Sequence, residues 1–133
     1  MSARVVGLAP VMALVLASAA FAVEAPDGSF QSYTRFMEKD GESIFAHTCA
    51  GCHMPNAQGA IGAARYPALA GNAKLATAAY PVFMVVNGRA GMPSFAPYLD
   101  DDQIAGVVNY VRTHFGNDYK DTVSPADVKA VRP

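Results

Sequence analysis

The chain's only two cysteines stand in Cys49-Ala50-Gly51-Cys52, and the next residue is His53. Any fold of this chain has to use that pair. Two cysteines in an exported protein most often close a disulfide, and C-x-x-C alone also suits a redox dithiol or half of a zinc site. Each of those readings wants a companion. A thioredoxin-type dithiol needs a βαβ setting, and no strand pattern surrounds the cysteines. A tetrahedral zinc site needs two more ligands, and only His47 and His114 remain, at no recognisable spacing.

His53 shifts the balance. C-x-x-C-H is the attachment sequence of c-type haem. Two thiols on one turn of helix can reach the two vinyl groups of one porphyrin edge. The histidine beside them then lies under the ring, its imidazole directed at the iron. A structural disulfide stays as the bland alternative.

Residues 1–22 read as a signal peptide. Arg4 is the only charge before Glu24, residues 11–17 are apolar, and Ala20-Phe21-Ala22 fits the A-x-A rule, so Val23 would start the mature chain. A membrane anchor is the alternative, but Pro10 interrupts the run and it is short against the ~20 apolar residues of a span. The expected location is therefore the periplasm, with the chain soluble after cleavage. What remains of the 133 residues is one small domain with a thin core, the kind that gains stability from a bound group. The formal net charge is −1 and no basic cluster occurs, which argues against nucleic acid as a partner.

Residues 23–39 lack periodicity and read as an N-terminal extension, pinned by Phe30, Tyr33 and Phe36. Asp40 can cap a helix over 41–49, with Gly41, Phe45 and Cys49 on one face. Residues 54–70, rich in Gly, Pro and Ala, read as a loop. Pro81 suits the first position of a helix over 82–87, which Gly88 ends, and 89–95 is irregular again. The clearest helix covers 101–115. Asp100 and Gln103 form a capping box, Ile104, Val107, Val108 and Val111 a buried stripe, and Gly116-Asn117 the stop. Ser124-Pro125-Ala126-Asp127 starts a short last helix. No strand is predicted, so the class is all-α. Three short helices cannot close a core alone, and something must fill the middle.

Helix, C-x-x-C-H, loop, Tyr66-Pro67-Ala68-Leu69-Ala70-Gly71, Gly88-Arg89-Ala90-Gly91-Met92-Pro93 and a terminal aliphatic helix occur here in that order. Over residues 40–116 the chain resembles class I (mono-haem) cytochrome c. The resemblance implies short helices wrapped around one covalently attached haem c, held through Cys49 and Cys52. Residues 117–133 become a C-terminal extension with a short helix. The family supplies His53 as one axial ligand and a methionine as the other. Met1 and Met12 lie in the leader, Met37 precedes the first helix, and Met54 is bonded to His53 itself. Met84 sits between Phe83 and Val85 and reads as core filler. Met92 matches the family's G-x-x-x-M-P pattern and is the expected ligand. By the same resemblance, the Pro67 carbonyl accepts the Nδ1–H of His53. Tyr66 stands where the family usually has glycine and could place a phenol near a propionate. Arg89, with Arg65 and Lys74, is either a propionate partner or a solvated charge. Gly41 and Phe45 would meet Gly106 and Tyr110 where the first and last helices cross. His47 and His114 are left as surface or core histidines.

His/Met ligation closes the iron to substrates, which implies an electron-transfer protein rather than an enzyme. The ring edge would be framed by C-x-x-C-H and the Met92 loop. Ala50, Gly51, Met54, Pro55, Ala57, Ala60 and Ala63 there imply weak, transient, largely apolar docking. The motifs are similar to those of small bacterial cytochromes and of the cytochrome domains of periplasmic dehydrogenases. The implied donor is a periplasmic dehydrogenase carrying flavin, molybdenum or a quinone cofactor. The implied acceptor is a cytochrome oxidase or another cytochrome of the respiratory chain. The alternatives are a fixed cytochrome subunit of a dehydrogenase complex, or a haem peroxidase or gas sensor with a labile sixth position.

Overall fold

The computed structural model describes residues 35–62 and 64–133. The leader over 1–22, Phe30, Tyr33 and Ala63 lie outside the described residues. Asp40 accepts a hydrogen bond from the Ser43 N–H (2.8 Å) and starts α1, Gly41–Ile44. The winding does not stop where the sequence pattern faded. It passes through a π-helical turn, Phe45–Cys49, into α2, Ala50–His53. In that turn the Ala50 N–H donates to the Phe45 carbonyl, five residues back. The extra residue rotates the helix face, and such turns gather at functional sites. Ile44 is buried just before it, Phe45 at its first position, and Ala50 and His53 beyond it.

The stretch expected to be loop contains a two-stranded antiparallel ribbon, β1 (Ala60–Ile61) and β2 (Arg65–Tyr66), with Ala60 opposite Tyr66 and Ile61 opposite Arg65. The absence of strands was thus wrong in this detail. Two-residue strands are too short for alternation to register in a sequence. Apart from this ribbon, the regular elements among the described residues are helical. A 3₁₀ turn, Ala73–Ala76, leads to α3, Ala79–Asn87. Pro81 is the third residue of α3 rather than the first, still in the turn whose N–H groups lack helical partners.

Helix α4, Asp101–Thr113, opens on the capping box of Asp100 and Gln103. Gln103 Nε2 also donates to the carbonyls of Phe36 (2.9 Å) and Glu38 (2.6 Å), tying the approach to α1 onto α4. The stripe Ile104, Val107, Val108 and Val111 is buried against Ile44, Phe45, Val82 and Val86. The helix stops two residues early because Phe115 turns left-handed, at φ 58°, and folds its ring onto Phe45 with centroids 4.7 Å apart. Asn117 then closes the end, donating to the carbonyls of Val111 (2.8 Å) and Leu69 (2.9 Å). The last helix, α5 (Pro125–Lys129), starts on the capping box of Ser124 and Asp127. Val123 and Val128 bury their side chains in the same core.

At the crossing of α1 and α4, Gly41 lies on Gly106, and Phe45 tilts against Tyr110 with centroids 5.9 Å apart. The two glycines are not equivalent. A Cβ on Gly41 would lie 2.2 Å from the Gly106 oxygen and 2.9 Å from Tyr110 Cβ, whereas a Cβ on Gly106 meets nothing nearer than 3.6 Å. Gly41→Ala is expected to lower stability by about 1–3 kcal/mol through overpacking. Gly106→Ala is expected to be neutral or stabilising, since alanine is the better helix former. Guanidinium unfolding midpoints of the holoprotein at constant slope would show the asymmetry.

Candidate haem site

The end of α2 delivers three functional side chains to one place. Cys49 is half-buried, Cys52 exposed and His53 buried. Burial pushes the Cys49 thiol up to about 12, and the charge on Cys52 adds to that. His53 Nδ1 lies 2.9 Å from the Pro67 carbonyl oxygen. A carbonyl only accepts, so Nδ1 carries the proton and Nε2 of the neutral ring keeps its lone pair free.

The ribbon holds Pro67 in place. Its second strand ends at Tyr66, the Gly59 N–H donates to the His53 carbonyl (2.9 Å), and Leu69 and Ala70 donate to the carbonyl of fully buried Ala57 (2.8 and 3.0 Å). Acceptor and imidazole therefore belong to one hydrogen-bonded unit.

Met92 comes from a separate segment. Arg89 and Met92 exchange both backbone hydrogen bonds (2.9 and 3.0 Å), and the Phe95 N–H donates to the Val85 carbonyl (2.9 Å). The turn begins at Gly88, φ 69°, where a Cβ would lie 2.6 Å from the Met92 oxygen and from Pro93 and Ser94. Only glycine meets both demands there.

Two adjoining cavities, of about 160 and 520 Å³, open between these segments. The smaller is walled by Leu69, Leu75, Val107, Val108 and Val111. The larger brings together Cys49, Cys52, His53, Tyr66, Pro67, Arg89 and Met92, with Thr48 and Arg65 beside them. Paired thiols, an imidazole with a free nitrogen and a thioether around an apolar hollow form a donor set that suits haem. Thr48 Oγ1 is buried there without a protein partner, a polar atom left over for a bound group.

Some expected placements are corrected. Ala50 and Ala57 are buried and belong to no docking edge. Met84 is not core filler: it lines both cavities, because Val82 and Val86 take the core-facing side of α3. Lys74 lines the smaller cavity, away from Arg65 and Arg89. His47 pairs with Glu38 (3.1 Å) and His114 stacks on Tyr110 (4.1 Å), and neither lines a cavity.

Sequence reasoning missed Arg112. Its side chain is fully buried, with Nε donating to Leu75 O (2.9 Å) and the guanidinium to Ala76 O, Asp121 O and Asp121 Oδ1. It thereby fixes the 3₁₀ turn that carries Leu75 into the smaller cavity. A signal was present, since position 112 continues the four-residue spacing of Ile104 and Val108.

The family model described as cytochrome c oxidase, cbb3-type, subunit III matches residues 37–111. The chain belongs to this family. It is a cytochrome c domain, an electron carrier and not an enzyme, and its cofactor is covalently attached haem c, with Cys49 and Cys52 fitting the attachment motif. Cytochrome c-552 of Thermus thermophilus is 36% identical over 97 residues, covering 60% of this chain and 71% of the relative. The cytochrome c subunit of a quinone alcohol dehydrogenase from Gluconobacter oxydans (strain 621H) is 30% identical over 105 residues. The fructose dehydrogenase cytochrome subunit of Gluconobacter japonicus is 35% identical over 108 residues. These two alignments cover 69% and 70% of this chain and 22% of each subunit, so the chain spans about a fifth of their length.

The Arg112 clamp of this cytochrome is testable. Arg112→Met would leave the Leu75, Ala76 and Asp121 carbonyls unpaired and cost roughly 3–5 kcal/mol, read by thermal or guanidinium unfolding. The Arg112 hydrogen bond holds the Asp121 carboxyl below its ordinary 3.8. A lowered folded value contributes stability that is fully present above 3.8 and lost as pH falls through the folded value. Asp121→Asn is thus expected to flatten the acid limb of the stability–pH curve in that window, while wild type keeps it.

Proposed function

We propose that this cytochrome c is a periplasmic one-electron carrier between a dehydrogenase and the respiratory chain. Cys49 and Cys52 hold the haem as thioethers, and His53 and Met92 provide the axial ligands. Residues 40–116 are the electron-carrying domain, following a leader over 1–22 and an extension over 23–39, with 117–133 as a C-terminal extension. The observation that carries this reading is the His53–Pro67 bond. It leaves Nε2 free in a cavity that also receives both thiols and the Met92 thioether.

When bound, the haem supplies Fe(III)/Fe(II) chemistry, at a potential raised by a thioether ligand. The chain's own residues orient, shield and present it. Pro67 fixes the imidazole plane and raises its basicity. The valines of α4 and Leu75 keep water from one side of the ring. Tyr66 and Arg89 reach the more polar cavity, where they serve the propionates. Cys52 and Pro93, which line the larger cavity, are exposed, and Ile61, on the ribbon whose other strand lines it, is 84% exposed. That surface suits weak, transient, largely apolar docking.

The donor class rests on relatives named as alcohol and fructose dehydrogenase cytochrome subunits. A flavin, molybdenum or quinone-dependent dehydrogenase is therefore the donor, and an oxidase or another cytochrome the acceptor. The same relatives favour a second reading, a fixed cytochrome subunit, because their cytochrome domains sit in longer chains.

Purified holoprotein mixed with each periplasmic dehydrogenase of the source cell decides the matter. Fast reduction by one of them, with separate elution on size exclusion, is the expected result. Stable co-elution would mean a fixed subunit, and failure of every dehydrogenase to reduce the protein would sink the carrier reading. Rapid binding of cyanide or CO by the native protein would contradict closed His/Met ligation. Ile61→Asp is expected to lower the second-order rate with the donor about tenfold, with unchanged spectrum and thermal midpoint.

A further inference from the structure

Five residues line both cavities: Cys49, His53, Pro67, Met92 and Met84. Four of them have roles in the reading above, in attachment, axial ligation or orientation of the imidazole. Met84 has none. We propose that Met84 is a second thioether within reach of the haem iron, and that it takes the sixth position when Met92 is lost. The inference rests on Met92 being the native ligand and concerns what stands behind it.

Position and chemistry carry it. The core side of α3 is occupied by Val82 and Val86, while Met84, only partly buried, lines the cavity wall. Its backbone is fixed: the Met84 carbonyl accepts the Gly88 N–H (2.9 Å), the bond that ends α3 and starts the Met92 loop. The two thioethers thus hang from either side of one glycine turn. Methionine is unbranched, with three rotatable bonds and a polarizable sulfur, and can shift its sulfur without moving the helix. Thioether is also an established axial ligand for haem iron.

The competing bases on the cavity wall are weaker candidates. Lys74 lines only the smaller cavity, and an ammonium group has donors but no lone pair to offer a metal. Tyr80 also lines only the smaller cavity, and its phenol binds a metal well only after losing its proton. Met37 and Met54 line neither cavity. A thioether needs no deprotonation.

Four oxidised holoproteins test the idea through the weak sulfur-to-iron absorption band: wild type, Met92→Ala, Met84→Leu and the double variant. The expected result is a native band in wild type and Met84→Leu, a shifted band in Met92→Ala, and loss only in the double variant. No band in Met92→Ala overturns the role of Met84 and leaves Met92 as native ligand. Loss of the band in Met84→Leu alone overturns the assignment of Met92 instead. Persistence in the double variant excludes both. If Met92→Ala fails to fold with haem, methyl-labelled methionine NMR of reduced wild type still decides whether Met84 faces the ring. Two ring-shifted methyls are expected, the second removed by Met84→Leu, and a single shifted methyl would refute the placement.

Discussion

The hydrogen bond from His53 to the Pro67 carbonyl organises the site, and much of the fold serves to keep its two ends at 2.9 Å. One end is the last residue of a helix that must wind without a break from Gly41 to His53, which it does through the π turn. The other lies in a segment rich in alanine and glycine, with few large side chains to anchor it. That segment is held by backbone bonds instead, through the ribbon and the carbonyls of His53 and Ala57. Proline suits the acceptor because it has no competing N–H of its own. A histidine bonded this way cannot present Nδ1 to the iron, so the tautomer is settled before any cofactor arrives.

The opposite side of the domain is built from helices, and there buried polar side chains replace the sheet that a small protein lacks. Gln103, Asn117 and Arg112 are buried, and each spends its donors on backbone carbonyls of a different connecting segment. A thin core gains little from more apolar area, so it needs such fixed crossings to hold long connections in one arrangement. Arg112 is the costliest and tightest of these. Its charge is buried, and its partners come from the 3₁₀ turn and from the chain beyond α4. Residues 117–133 pack against the core through Val123 and Val128 as well as through Asp121.

What could be read from the sequence was what depends on neighbours along the chain. Cys49, Cys52 and His53 are a contiguous string, and the Asp100–Gln103 and Ser124–Asp127 caps are local in the same sense. Gly41 and Gly106 announced a close crossing, though not which of them has no room. The π turn escaped notice because Phe45 to Cys49 carries nothing that separates i→i+5 from i→i+4 bonding. The ribbon escaped because two-residue strands have no period. Met84 and Ala57 were misplaced for a common reason. Each took its reading from residues near it in the chain, while its surroundings were decided by contacts distant in sequence: α3 facing the crevice, and the Leu69 and Ala70 N–H groups closing over Ala57.

Charge is distributed by the same logic. Asp40 and Glu42 lie at the start of α1, and Asp100, Asp101 and Asp102 at the start of α4, where they cap helices and complement their dipoles. These carboxylates are committed to local structure. The charged side chains among the residues that line the larger cavity are Arg65 and Arg89. A net charge of −1 for the whole chain therefore says little about the charge of the side chains around this cavity. Long-range steering follows the local field rather than the total, and salt screens it over about 10 Å at 0.1 M. Two guanidinium groups stand at this cavity, and Arg65 pairs across the ribbon with the apolar Ile61. Arg65 sits in the ribbon and Arg89 in the turn it shares with Met92, so the local charge is fixed by the same backbone bonds that shape the cavity.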